Sequence, residues 1–147
     1  MKLIRKKGNR QTKTKRVVLS DTQTFVDLEN LASASLKNEN ERKKATKSLK
    51  NFVSQLKDTI QSGAIFGAID VLNIIECISK IDQNFDNQTF KDLFMKKLEA
   101  SETAVVSFAA EMINDKPYLQ KAFSTAELET IGRILLDFQT AKDNQHV

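Results

Sequence analysis

From Phe25 onward the apolar residues of this 147-residue chain recur at intervals of three and four, and short polar or glycine breaks separate one such stretch from the next. That period belongs to amphipathic α-helices. Ser20 stands three residues before Gln23, the spacing of a capping box. The helix it opens carries Phe25, Leu28, Leu31, Ala32 and Leu36 on one face. A polar break at Asn38 to Asn40 precedes a long helix with Leu49, Phe52, Val53, Leu56 and Ile60 on one side and Gly63 as its stop. The third helix, about Ala64 to Ile81, is apolar around most of its circumference, which suits the central member of a bundle. Asp86 or Asn87 caps a fourth, whose inner stripe is Phe90, Leu93, Phe94 and Leu98. Ser101 opens a fifth through Val105, Phe108, Ala109, Met112 and Ile113, until Pro117 prevents its continuation. Ser124 and Glu127 again have capping-box spacing, with Leu128, Ile131, Leu135 and Phe138 at helical intervals behind them.

The pattern predicts an all-α fold: a compact bundle or short stack of five to six helices, forming a single domain over residues 17–142 with a frayed end at 143–147. Four Gly and one Pro supply few of the turns that a many-stranded sheet needs. No fixed-period internal repeat is evident, which disfavours a solenoid.

Charge changes the picture at the N-terminus. Lys2, Arg5, Lys6, Lys7, Arg10, Lys13, Lys15 and Arg16 give the first 16 residues eight positive charges and no negative one. Removing that +8 from the chain's net +4 leaves the remaining residues at −4. With only Met1, Leu3 and Ile4 as apolar content, this segment has little to bury. It is expected to form a flexible basic arm. The long second helix adds Lys43, Lys47, Lys50 and Lys57, which at ~100° per residue fall within an arc of roughly 80° beside the apolar stripe. Arm and ridge together suit an anionic polymer, to which Lys and Arg bind with release of counterions.

The run Lys13-Thr-Lys-Arg-Val-Val-Leu-Ser20 leads directly into one helix and then a second. Over Lys13 to about Leu56 this order resembles the ribbon-helix-helix DNA-binding proteins, and the resemblance implies paired strands of a dimer entering the major groove. Val17-Val18-Leu19 lacks clean strand alternation, and Glu39 and Glu41 stand at the N-terminus of the second helix, where phosphate would approach. The alternative is that Val17 and Leu19 staple the arm onto the bundle.

Other chemistry is weakly represented. Asp82, Asn84 and Asp86 match positions 1, 3 and 5 of a calcium loop, but position 12 is Leu93 and offers no bidentate carboxylate. The segment reads as a helix connection. His146, the only histidine, is penultimate, and Cys77, the only cysteine, lies between Ile75 and Ile78 in an apolar helix. No catalytic triad, zinc site, Walker loop or Rossmann loop can be drawn from these residues. No catalytic residue, metal or cofactor is therefore expected. A lone cysteine and the lack of an apolar run after the basic residues point to a reducing, cytoplasmic setting without a secretory signal. Asp70, Asn73, Glu76 and Lys80 interrupt the most apolar stretch, so no transmembrane segment is expected.

These readings lead to a non-enzymatic nucleic-acid-associated binding or regulatory protein. Its partner would be DNA or RNA, free or within a large nucleoprotein assembly. The alternative is a helical protein–protein adaptor or regulator of virulence, phage or immunity type. Homo-oligomer formation is compatible with either.

Overall fold

A computed structural model describes residues 17–145, with side chains through Thr140. The expected arm and His146 lie outside the described residues. A 3-10 turn, Leu19–Asp21, is followed by α1 (Gln23–Lys37), α2 (Glu39–Gln61), α3 (Ala68–Ile81), α4 (Gln88–Glu99), α5 (Thr103–Asp115), α6 (Pro117–Ala122) and α7 (Thr125–Gln145). The all-α expectation holds for the described residues, but the α-helices number seven, not five to six. The additional one is α6. Pro117 ends α5 and also starts α6 at its first position, where the missing N–H is not needed. α7 continues past residue 142 to Gln145.

α3 lies at the centre. It packs against α1, α4 and α6, with further contacts to α2 and α5. Val71, Leu72, Ile74, Ile75 and Ile78 are all fully buried, because a helix apolar on every side must be enclosed on every side. α1 and α2 pack against each other as well as against it, while α5 packs directly against both α6 and α7. One continuous core runs from Leu19 to Ile131.

Local chemistry sets the boundaries and moves some of them. Thr22, not Ser20, caps α1: its Oγ1 accepts the Phe25 N–H at 3.4 Å and donates to the Leu19 carbonyl at 2.7 Å. Ser20 is inside the preceding 3-10 turn. The polar break between α1 and α2 is a single residue, Asn38, whose side chain accepts from Asn40 N–H at 2.8 Å and Glu41 N–H at 3.3 Å. Gly63 adopts φ +99°, a left-handed conformation that stops α2 without a Cβ penalty.

Ala64 to Gly67 is not helical. Ile65 instead forms a parallel bridge with Val18: Leu19 N–H donates to Ile65 O and Ile65 N–H donates to Val17 O, both at 2.8 Å. Leu19 is fully buried and acts as a staple, whereas Val17 stays exposed. Val17 to Leu19, the described part of the segment that the ribbon-helix-helix resemblance would send into a groove, thus pair with the loop before α3.

Two apolar positions turn outward. Leu36 lies at the edge of the α1 stripe and is 44% exposed, while Ser35 is buried and donates its hydroxyl to Leu31 O at 2.8 Å. Phe108 is 52% exposed. Val106, Ala109, Met112 and Ile113 form the inner face of α5, and Phe108 lies about 200° around the helix from Val106.

A polar junction ties α4 to the start of α7. Ser124 and Glu127 form the capping box read from the sequence: Ser124 N–H donates to Glu127 Oε1 at 2.8 Å and Glu127 N–H to Ser124 Oγ at 3.1 Å. Lys91 Nζ donates to the same Oε1 and to the Ala122 carbonyl, each at 3.1 Å. Desolvation favours the protonated Glu127, but the Ser124 N–H and Lys91 outweigh it and hold the carboxyl below its usual range. A carboxyl with a lowered folded pKa contributes stability above its unfolded pKa and loses it as pH falls through the folded value. Glu127→Gln is therefore expected to cost about 1 kcal/mol at pH 7, after discounting for solvent screening. The difference from the parent should shrink below about pH 4. Urea unfolding at both pH values checks this; an equal penalty at both would show that the charge is irrelevant.

Candidate nucleic-acid interface

The ridge predicted from helical spacing is present on α2. Ala45, Leu49, Val53 and Leu56 face the core, and Lys43, Lys47, Lys50 and Lys57 are exposed. The two acids of the first turn pair with other cations: Glu39, at the N-terminal end of the ridge, with Arg42 at 3.6 Å and Glu41 with Lys44 at 4.0 Å. Among the described residues, none of the four ridge lysines has a carboxylate within ion-pair distance. The ridge is about 21 Å long at ~1.5 Å rise per residue. That matches the axial rise of about six nucleotides on one strand.

Two depressions border it. One, of about 300 Å³, lies along Lys43 and Lys47 and includes Glu39, Arg42 and Thr46. The other, of about 440 Å³, runs between Lys50, Val53, Ser54 and Lys57 of α2, Phe85 and Asp86 of the α3–α4 connection, and Thr89 of α4. Phe85 is half-buried, packs against the core and lines this groove along with Lys50 and Lys57. Asp86 is the one acid lining this groove; its Oδ1 accepts the Gln88 N–H at 2.9 Å. Sequence reading did not single out Phe85. Its signal was an aromatic residue in an otherwise polar connection.

Lys2, Arg5, Lys6, Lys7, Arg10, Lys13, Lys15 and Arg16 lie outside the described residues. Their point of attachment does not. Val17 is bonded to Ile65, and Ile65 follows closely on Gln61, the last residue of α2. The first 16 residues therefore join the bundle at the end of α2 that carries Lys57. Next to this root, Lys97 Nζ sits 4.2 Å from the centre of the Phe66 ring, a cation–π contact that adds another positive charge.

The groups considered for other chemistry are engaged elsewhere. Asp82 Oδ1 accepts the Asn84 N–H at 3.0 Å, so the carboxylates at 82 and 86 organise a turn and a helix start. Cys77 is buried, and desolvation with the nearby Glu29 and Glu76 pushes its thiol up to about 12, against a smaller opposing influence of Lys80. At neutral pH it stays a protonated thiol, not a nucleophile. Glu76 is buried between Lys80 at 3.6 Å and Lys116 at 3.7 Å, linking α3 to the start of α6. No described helix is long and apolar enough to cross a membrane.

No protein-family model, curated protein or solved structure matches the chain.

Proposed function

We propose that this chain is a non-enzymatic nucleic-acid-associated binding protein. In this reading the α2 ridge lies along a phosphate backbone, and the N-terminal cations extend the contact from the Lys57 end. The supporting observation is the set of four exposed lysines on one helix face, none paired with a carboxylate among the described residues. Contacts of this kind position a protein on a strand without reading its sequence. The bundle would supply shape and protein contacts in a reducing, cytoplasmic setting.

The test replaces Lys43, Lys47, Lys50 and Lys57 with Gln and follows binding to labelled duplex DNA, duplex RNA and single strands by fluorescence anisotropy across a salt series. If each lysine neutralises one phosphate, the slope of log affinity against log salt should fall by up to about 3.6 on duplex DNA and 2.8 on single strands. Helix content should not change, since exposed charges contribute little to folding. An unchanged slope would remove the ridge from the interface.

A further inference from the structure

α7 contains a glycine that nothing among the described residues explains. Gly132 lies in the interior of a 21-residue helix, is exposed, and, apart from its chain neighbours and the adjacent backbone of its own helix, has no described atom within 4 Å of where a Cβ would stand. Glycine is the least favourable ordinary residue in a helix interior apart from proline. Its usual merit is to let another backbone approach closely. Gly132 also lines an apolar groove of about 490 Å³ between α5 and α7, next to Leu128, Ile131 and Ala110. One turn further along α7, Leu136 is 59% exposed, the greatest exposure among the described large apolar side chains.

We infer that two copies of the chain pair through α7, running antiparallel about a two-fold axis at Gly132. At ~100° per residue, Leu128 and Leu136 lie about 40° to either side of the direction in which Gly132 faces. Each is four residues from it. A two-fold axis at Gly132 therefore sets Leu136 of one copy beside Leu128 of the other, at the same height and on opposite sides of the contact. The two glycines meet where the helices are closest.

The flanking charges agree with this register. Glu129 and Arg133 occupy the same edge of α7, turned away from the groove, and both are exposed. Neither forms an ion pair among the described residues, even with the other one turn away. The antiparallel pairing brings Glu129 of one copy to within about 3 Å, measured along the axis, of Arg133 of the other, at ~1.5 Å rise per residue. The symmetry repeats this pair, as an isologous interface requires.

Sedimentation velocity of the full chain without nucleic acid, over a concentration series up to about 1 mM, tests the pairing through four variants. Gly132→Leu fits within one copy but blocks the helix approach. It should weaken dimerisation at least about tenfold, with helix content and dilute melting temperature retained. Glu129→Arg and Arg133→Glu should each weaken the dimer, and the double swap should restore it. A monomer throughout the series would overturn the proposal, as would a dimer indifferent to Gly132→Leu. A double swap without rescue would overturn the proposed register.

Discussion

Truncating Phe94 to Ala is expected to destabilise the protein by about 3–5 kcal/mol, the range for deleting a fully enclosed aromatic side chain. Phe94 has no exposed surface, and its ring centre lies 5.7 Å from that of Phe123 at a tilt of 52°. It therefore joins two parts of the core that are distant in sequence: the α4 stripe, and the turn between α6 and α7. The gap left by Ala cannot close by movement of α4 alone. That helix is also fixed by Phe90 and Leu98 in the core and by Lys91 at the α7 cap. The control is Phe108→Ala, where the ring is largely in water and the change should stay within about 0.5 kcal/mol. Urea denaturation of both variants measures the contrast. A Phe94→Ala cost near that of Phe108→Ala would show that α4 does not pack as described.

The same two residues show what could be read from the sequence. Both lie in helical stretches, and periodicity placed both inside. For Phe94 the stripe of Phe90, Leu93 and Leu98 fixes one direction. In α5 nearly every position from Ala104 to Ala110 is apolar, so periodicity could not select the inner face, and α3 and α7 select it by contact. The short α6 was missed because six residues make too little period to detect, and Pro117 reads as a stop before it reads as a start. The α2 ridge was legible since it depends only on helix geometry over 15 residues from Lys43 to Lys57. The root of the N-terminal segment was not, because it depends on Val18 meeting Ile65, a pairing with no local sequence signal. Gly132 was hidden for a related reason. Its exposure depends on where α5 lies, not on the sequence of α7.

Neutralising the eight N-terminal cations to Gln is expected to leave the fold intact while removing most of the affinity for nucleic acid. With only Met1, Leu3 and Ile4 as apolar content beside them, these cations have little to bury, and the melting temperature should move little. Binding is a different matter. At about 0.9 per phosphate on duplex DNA, eight contacts account for up to about seven in the salt slope, twice the share of the ridge. Between 50 and 200 mM salt the parent should therefore lose about 10³- to 10⁵-fold in affinity, and the neutralised variant far less. The residual binding should then disappear when the ridge lysines are also replaced. This order follows from the number of charges in each set; in the proposed function the N-terminal cations would hold the polymer and the ridge beginning at their root would orient the bundle on it. Full affinity after loss of both sets would move the nucleic-acid contact to another part of the bundle surface, whereas a parent chain that binds none of the nucleic acids at near-physiological salt would favour a protein adaptor. A large drop in melting temperature on arm neutralisation alone would instead assign those eight cations to the fold.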